Sequence, residues 1–240
     1  MKIPIVKEYG SWAVFIFSVA SGITTGLLTR PWQTGRDISV STLLTVLGLT
    51  LLINSKNPLS SIVRSKGYSK EHYLWFALFS MSGLVLLVPF LIDGLKTFYV
   101  FSPLVFIYVF LLFSGKEHSL FTELNGFALL TLSSAVIYFV ITGEMSFRLY
   151  LAVFVFFAAG VFKVRARIKK TNPYRWLMVF YCAASLVIFY FLNISTAILL
   201  PLAENVINVI QMKEEKLKIT GNVELVKGVI FTVLLGIFWQ

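Results

Sequence analysis

Long apolar runs follow one another along almost the whole chain, and short polar or charged stretches separate them. Most of these runs are about 17 to 21 residues long, the length that an α-helix needs to cross the hydrocarbon core of a bilayer. The pattern predicts one transmembrane domain over residues 1–240, an all-α polytopic bundle with about nine spans. The predicted spans are 11–29, 38–54, 73–92, 97–114, 121–141, 147–163, 174–193, 194–211 and 223–239.

The eighth predicted span differs from the others because almost no loop separates it from the seventh. It also contains a proline and three polar residues, which are Pro201, Glu204, Asn205 and Asn208. Such a segment either crosses the membrane as a broken helix or enters and leaves on one side as a re-entrant loop. The sequence leaves both alternatives open.

The composition also indicates a membrane protein. Hydrophobic residues make up 58% of the chain and charged residues 13%, whereas roughly a quarter of the residues in soluble proteins are charged. A net charge of +10 would fit a nucleic-acid partner. However, the cations lie in short loops between spans, where the cytoplasmic preference of lysine and arginine explains them, so we expect no nucleic-acid partner.

Lysine and arginine are distributed unequally between the two sides of the predicted bundle. One side carries 16 of the 21 cations and the other carries 4, with Lys227 left inside the last span. Because cytoplasmic loops are enriched in these residues, the N-terminus and the long loops are predicted in the cytoplasm and the C-terminus outside. We expect a multi-pass protein of the cytoplasmic (inner) membrane.

Several polar side chains lie inside the predicted spans, where they usually face a cavity or a partner. Glu204 and Asn208 are four residues apart and share a helical face, and Glu224 and Lys227 are close enough to pair with each other. For Glu204, a functional role and a satisfied hydrogen bond between helices both stay open. The predicted polar set is Glu123, Asn125, Glu204, Asn205, Asn208, Glu224 and Lys227.

The densest charge lies in residues 163–175, between the sixth and seventh spans. If the sixth span continues as a helix into the cytosol, its cations form a positive face above the membrane until Pro173 breaks the helix. This face could hold an anionic headgroup, although topological anchoring and attraction to anionic lipid are the simpler interpretation. The candidate headgroup cations are Lys163, Arg165, Arg167, Lys169, Lys170 and Arg175.

Small residues recur every four positions on the first span, at Ser18, Gly22 and Gly26. Such a stripe lets another helix approach closely, so we expect it to pack within the bundle. The single cysteine and the two histidines show no ligand spacing, and we predict neither a metal nor a cofactor. No nucleophile, triad or phosphate loop stands out, so the sequence does not decide whether the protein is an enzyme.

Four short polar or glycine-containing motifs lie at or near the ends of predicted spans. The first is KEYGSWA at residues 7–13, in which Tyr9, Gly10 and Trp12 precede or open the first span. The others are ELNG at 123–126, NPYRW at 172–176 and KITGNVE at 218–224. Together these motifs resemble those of the YwiC-like bacterial membrane proteins. Tyr9 stands where the family pattern has histidine, so no histidine role carries over. The resemblance implies an uncharacterised multi-pass membrane protein.

The predicted architecture also resembles the UbiA-type intramembrane prenyltransferases, which are similar nine-helix bundles with cytoplasmic caps after the second and sixth spans. Long polar loops follow the same two spans here. Those enzymes bind diphosphate through magnesium on Asp-rich motifs, and this chain has no such motif. If the likeness holds, basic residues would have to contact an anionic headgroup directly.

Three functions fit these observations. The first is binding, or modification, of an amphipathic lipid or isoprenoid in an intramembrane cavity, with Arg165, Arg167 and Lys169 at the headgroup and Glu204 and Asn208 deeper. The second is transport of a small solute or ion with Glu204 as a proton or cation site, although the two halves show no internal repeat. The third is a role as assembly partner of another membrane protein.

Overall fold

The computed structural model describes residues 6, 8–29, 39–64, 70–117, 119–169, 172–211 and 217–239. Over these residues the protein is helical and has no β-strand. The α-helices are α1 (Tyr9–Thr29), α2 (Val40–Asn54), α3 (Lys56–Arg64), α4 (Lys70–Leu91), α5 (Leu95–Phe98), α6 (Ser102–Phe113), α7 (Leu120–Thr142), α8 (Phe147–Lys169), α9 (Asn172–Phe191), α10 (Ala203–Gln211) and α11 (Leu217–Phe238). Short 3₁₀ helices span Ile92–Gly94, Tyr99–Phe101 and Thr196–Leu202.

Six helical segments of the described chain are long and apolar enough to cross a membrane. They are Tyr9–Thr29, Lys70–Phe113, Leu120–Thr142, Phe147–Ile168, Asn172–Phe191 and Ile219–Phe238. This confirms the prediction of an all-α bundle with several apolar helices. The count of nine spans and the sides on which the termini lie stay predictions.

The difference between six and nine comes from three places. The predicted span 38–54 corresponds to α2, which has only 15 residues. The predicted spans 73–92 and 97–114 lie in one uninterrupted helical segment of 44 residues. The predicted span 194–211 is divided between a 3₁₀ helix and α10, because Pro201 lacks the N–H group that a regular helix needs.

The long segment changes direction at the 3₁₀ turn after α4. Phe98, just beyond this turn, packs edge-on against Phe139 near the end of α7, with ring centroids 5.4 Å apart. Further along the chain, the carbonyl of Leu104 accepts a hydrogen bond of 2.8 Å from Asn125 near the start of α7. Residues 95–113 therefore run back alongside α7, antiparallel to it.

Helices α1, α7 and α8 form the centre of the bundle. Helix α1 packs against α7 and α11, α7 against α8, and α8 against α9, while α2 pairs with α4. In the core, the rings of Phe156 and Phe231 stack with centroids 3.9 Å apart beside the fully buried Met178. By contrast, α4, α9 and α11 expose many large apolar side chains, as helices that face lipid do.

Two glycines allow α1 to lie directly on α7. A Cβ atom added at Gly22 would meet the carbonyl oxygen of Ser134 at 2.5 Å, and one at Gly26 would meet Ile141 at 3.1 Å. Ser18 on the same face is fully buried. The predicted role of this small-residue stripe, packing within the bundle, is confirmed.

The segment after α9 follows the length of α8. Asn193 adopts a left-handed backbone with φ of 52°, which asparagine tolerates better than most residues, and its carbonyl accepts a hydrogen bond from Arg148 at the start of α8. Further along, Glu204 contacts Lys163. Arg148 and Lys163 are separated by about 22 Å of helix, at 1.5 Å per residue. The chain covers this distance between Asn193 and Glu204.

Candidate functional site

The predicted intramembrane polar residues of α10 and α11 come together against a lysine of α8. We call this group the charged cluster, and its members are Lys163, Glu204, Asn205, Asn208, Glu224 and Lys227. Three separate helices position it. On α10 a spacing of four residues places Glu204 and Asn208 on one face, and on α11 a spacing of three does the same for Glu224 and Lys227.

Two lysines share two carboxylates at the centre of the cluster. Lys163 Nζ lies 2.6 Å from Glu204 Oε2, 2.9 Å from Glu204 Oε1 and 2.7 Å from Glu224 Oε1. Lys227 Nζ lies 2.7 Å from the same Glu224 Oε1 and 3.2 Å from Glu204 Oε2. The Glu224–Lys227 ion pair confirms the pairing predicted from the sequence.

Two asparagines complete the hydrogen bonding of the cluster. Asn208 donates to Glu204, and Lys227 donates to the side-chain oxygen of Asn205. Asn205 is fully buried, and its side-chain nitrogen has no hydrogen-bond partner among the described residues. An unsatisfied buried donor costs about 1–3 kcal/mol, so this nitrogen would gain from an acceptor such as a water molecule.

The cluster is closed around its lysines and open at its carboxylates. The side chains of Lys163 and Lys227 are only 2% and 5% exposed, whereas those of Glu204 and Glu224 are 32% and 31% exposed. Two positive and two negative charges balance, which is what makes burial of ionised groups tolerable. The carboxylates therefore reach the surface of the bundle, whereas the ammonium groups do not.

Lys163 lies apart from the headgroup site predicted for it. At its position α8 still faces α10 and α11, so its ammonium group is buried among carboxylates instead of standing above the membrane. The predicted span ended at residue 163, and the positive face required the helix to continue beyond it; α8 does continue to Lys169. The chain resumes as α9 at Asn172, with Pro173 in the first turn.

The other predicted cations lie at the same end of α8 and at the start of α9. Arg165 Nε donates to Glu123 Oε2 at 2.8 Å, so this cation is paired with α7. Arg167 and Arg175 are partly buried. Lys170 lies outside the described residues, as does the side chain of Lys169. Any contact of these residues with a headgroup stays a prediction.

The N-terminal motif is attached to the end of α2 and the start of α3. Glu8 Oε2 accepts from Lys56 at 2.6 Å and from Ser11 at 2.9 Å. The Val6 amide donates to Asn54 at 3.2 Å, and Trp12 Nε1 donates to the Val6 carbonyl at 2.9 Å. No such role was predicted for Glu8, Asn54 and Lys56, because their pairing depends on how α1 and α2 pack.

Electrostatics favour the ionised form of Glu8. Burial alone would raise the pKa of its carboxyl, but the hydrogen bond and positive charge of Lys56, with help from Ser11 and Arg64, hold the pKa below its ordinary value. The neighbouring Tyr9 is 91% exposed. Gly10 faces open space, so neither residue of the motif supports the attachment.

No group of three histidine, cysteine, aspartate or glutamate side chains in the described part of the chain could hold a metal ion. Asn125 is buried, and its side-chain amide donates a hydrogen bond to the Leu104 carbonyl, which indicates a structural role for this side chain. The charged cluster brings four ionised side chains and two asparagines together and is the candidate site.

A family model described as YwiC-like protein matches residues 5–138, more than half of the 240 residues. The chain belongs to the YwiC-like family. The match includes the N-terminal motif, Glu123 and Asn125, whereas the charged cluster of this YwiC-like protein lies in the part that follows. No curated protein and no solved structure matches the chain.

Proposed function

We propose that this YwiC-like membrane protein is a transporter that couples movement of a small solute to protons at the charged cluster. One observation carries the proposal: Lys163 and Lys227, both almost completely buried, are held by the partly exposed Glu204 and Glu224. Ionisable residues at membrane depth usually mark ion, proton or substrate pathways. The proposal is thus the transport alternative that the sequence left open.

The structure around Glu204 supports the same function. Glu204 belongs to the segment in which a 3₁₀ helix containing Pro201 passes into the short helix α10. Interrupted helices are a recurring feature of transporter binding sites, where they place backbone and side-chain polar groups near the midplane. A broken segment is also easier to rearrange than a continuous helix.

Charge balance gives the proposed coupling its mechanism. The cluster is neutral with both lysines charged and both carboxylates ionised. A proton that binds to Glu204 leaves one lysine uncompensated, and an unpaired charge is costly in a low-dielectric interior. The cluster regains neutrality only if an anion arrives or a lysine releases a proton. Proton uptake is therefore linked to solute binding or to proton release.

The proposal includes nine crossings, with the N-terminus in the cytoplasm and the protein in the cytoplasmic membrane. Three features support this topology beyond the six long helices. Residues 95–113 run back along α7. The segment from Asn193 to Glu204 follows α8 for about 22 Å. Asn54 at the end of α2 contacts Val6, which lies just before α1. The cation distribution supports the orientation.

Proton flux into vesicles tests this function. The purified protein is reconstituted into phosphatidylethanolamine–phosphatidylglycerol vesicles that contain a pH-sensitive dye, and a pH gradient is imposed with potassium and valinomycin as charge compensation. We expect the wild type to dissipate the gradient faster than empty vesicles, and Glu204→Gln to fall to the rate of empty vesicles. The reason is that glutamine at position 204 has no carboxyl group that could take up and release a proton.

Glu144→Gln is the matched control, because Glu144 is exposed in the loop between α7 and α8. It should keep the wild-type rate. Glu204→Asp, which retains a titratable group, should restore part of the flux, and size-exclusion chromatography shows whether each variant is folded. A wild-type rate equal to that of empty vesicles, with and without added small anions, would refute the proposal.

Binding of an amphipathic lipid or isoprenoid is the second candidate. The observation that favours it is the grouping of Arg165, Arg167 and Arg175 at one end of α8 and α9, beside a helix with a largely exposed apolar surface. It ranks second because Arg165 is already neutralised by Glu123. The UbiA-like architecture rests on the positions of the two basic loops alone, since no solved structure matches the chain.

Mass spectrometry of the lipids that co-purify with the protein tests this second candidate. A specific lipid or isoprenoid retained by the wild type and lost from the Arg165→Gln/Arg167→Gln double variant would favour it over transport. Bulk membrane lipid in both samples would exclude it. A role as assembly partner of another membrane protein stays a prediction, which stable co-purification would reveal.

A further inference from the structure

One half of the Asn205 side-chain amide in the charged cluster has no partner. Asn205 is fully buried, and its Oδ1 accepts a hydrogen bond from Lys227, whereas its Nδ2 makes no hydrogen bond with any described residue. An ammonium group can only donate, so the amide oxygen has to face Lys227 and the nitrogen has to point away from it. A half-turn of the amide about its Cβ–Cγ bond would therefore break only the hydrogen bond to Lys227.

The two buried lysines differ in the partners that hold them. The Nζ of Lys163 contacts carboxylate oxygens alone, two of Glu204 at 2.6 and 2.9 Å and one of Glu224 at 2.7 Å. Lys227 contacts Glu224 at 2.7 Å, but its distance to Glu204 is longer, at 3.2 Å. Its third partner is the uncharged amide of Asn205.

This difference matters when a lysine loses its proton. An ionised carboxylate only accepts hydrogen bonds, and its negative charge favours the ammonium form of a neighbouring lysine. An amide can accept from an ammonium through its oxygen or donate to the lone pair of a neutral amine through its nitrogen. Asn205 can therefore hold Lys227 in either form, whereas the ionised partners of Lys163 favour the charged form alone.

The ionisable groups around Lys227 come mainly from the cluster itself. Helix α11 also packs against α1 and the 3₁₀ helix Thr196–Leu202. The 3₁₀ helix contains no ionisable side chain, and α1 contributes only Tyr9, which is 91% exposed. The thiol on α9 interacts electrostatically with Lys227. The groups that face Lys227 are Lys163 on α8, Cys182 on α9, Glu204 on α10 and Glu224 on α11.

We infer that Lys227, and not Lys163, is the lysine that releases a proton when the cluster takes one up, and that the Asn205 amide turns to hold the neutral amine. An N–H bond of Lys227 Nζ breaks, and its electron pair stays on the nitrogen. The proton passes to Glu224 Oε1 at 2.7 Å, and this carboxylate is 31% exposed and can release it to water. Asn205 Nδ2 then donates to the new lone pair. The inference deepens the transport proposed above and rests on it for its role in coupling.

Nuclear magnetic resonance of the protein in nanodiscs, with isotope-labelled lysine and asparagine, tests this assignment. The pH is raised from neutral to alkaline, and the two lysine signals are identified by their loss in Lys227→Gln and Lys163→Gln. We expect the Lys227 signal to change from that of an ammonium to that of an amine at a lower pH than the Lys163 signal. The side-chain amide signal of Asn205 should shift with the same midpoint, because its N–H group gains an acceptor.

The side-chain amide of Asn125 is the matched control, because it is buried and already donates to the Leu104 carbonyl at 2.8 Å. Its signal should not follow the titration of Lys227. In Asn205→Asp the amide is replaced by a charged group that only accepts. Lys227 should then stay charged to a pH that is higher by about one unit or more.

A Lys163 signal that changes first or together with that of Lys227 would overturn the inference. So would a Lys227 signal that stays that of an ammonium as long as the protein is folded, or an Asn205 signal that stays constant while Lys227 titrates. The titration requires no flux, so it can fail separately from the transport. Vesicles without flux would refute the transport alone, whereas flux with the opposite order of the lysines would refute only this inference.

Discussion

The two buried lysines of the charged cluster depend on the same pair of carboxylates. Lys163 and Lys227 both lie 2.7 Å from Glu224 Oε1, and both contact Glu204 Oε2. Therefore none of these four charged residues can be neutralised without altering the charge balance of the others. Changes that restore neutrality should be tolerated better than changes that disturb it.

This dependence predicts the effects of charge removal at Lys163. Lys163→Met leaves two carboxylates with one lysine, and breaking a buried ion pair in this way costs about 3 kcal/mol, the lower end of the expected range because the carboxylates are partly exposed. Adding Glu204→Gln restores neutrality and should recover a substantial part of that loss. Denaturant unfolding in mild detergent measures both free energies.

Lys116→Met is the control for this series, because Lys116 is exposed in the loop before α7. Its free energy of unfolding should change by less than about 0.5 kcal/mol. Equal losses in Lys163→Met and in the double variant would contradict the interpretation, since they would show that Lys163 contributes through packing and not through charge.

At the N-terminal motif, stability should depend on pH through Glu8. Its pKa is lower in the folded protein, so its contribution is present above the ordinary glutamate pKa of 4.5 and is lost as the pH falls through the lower folded value. The midpoint of thermal unfolding of Glu8→Gln should lie below that of the wild type at neutral pH. The two midpoints should converge on acidification.

Lys56→Met should show the same convergence with the wild type, because it removes the partner of the same ion pair. If the difference between the wild type and Glu8→Gln stayed constant from neutral to acidic pH, the ionised Glu8 would have no role in holding the motif to α3.

At the scale of elements, the bundle depends on the close approach of α1 and α7. Gly22→Ala places a Cβ atom 2.5 Å from the Ser134 carbonyl, so one of the two helices must move. We expect a loss of about 1–3 kcal/mol in the free energy of unfolding, as for other overpacked sites. Unfolding in detergent measures it.

Gly126→Ala in the second turn of α7 is the matched control, since its Cβ would have ordinary contact with Tyr108 at 3.7 Å. It should be neutral or stabilising, because alanine favours a helix more than glycine does. Similar losses in the two variants would show that glycine acts through backbone flexibility and not through close packing.

At the scale of the whole molecule, the proposed nine crossings determine which loops face outwards. In a Cys182→Ala background, cysteines placed at Asp93, Glu144 and Thr196 should react with a membrane-impermeant maleimide on intact cells. A cysteine at Lys116 should react only after permeabilisation. Asp93 decides whether the segment Lys70–Phe113 crosses twice, and Thr196 reports on the side reached by α9.

Protection of the Asp93 cysteine together with labelling at Glu144 would contradict two crossings by Lys70–Phe113. Labelling of the Lys116 cysteine on intact cells would reverse the orientation inferred from the cations. Each position is exposed in the structure, so protection reports the membrane and not burial inside the protein.

The sequence by itself determined the class of this protein and its local pairings. Apolar runs of membrane length can satisfy their backbone hydrogen bonds in lipid only as helices, so the helical bundle followed from the pattern. Residues three or four positions apart meet on a helix, so the Glu224–Lys227 pair could be predicted. The small-residue stripe on α1 could be predicted from the same spacing, because small residues on one face of a helix let a neighbouring helix pack closely against it.

Only the tertiary structure decided which distant residues meet. Lys163 is 41 residues from Glu204 and 61 from Glu224 in the chain, and nothing in its surroundings separates it from the cations beside it. Its burial follows from the rotation of α8 against α10 and α11. Helix spacing determines neighbours along one helix, whereas contacts between helices depend on rotation and crossing geometry that the linear pattern does not encode.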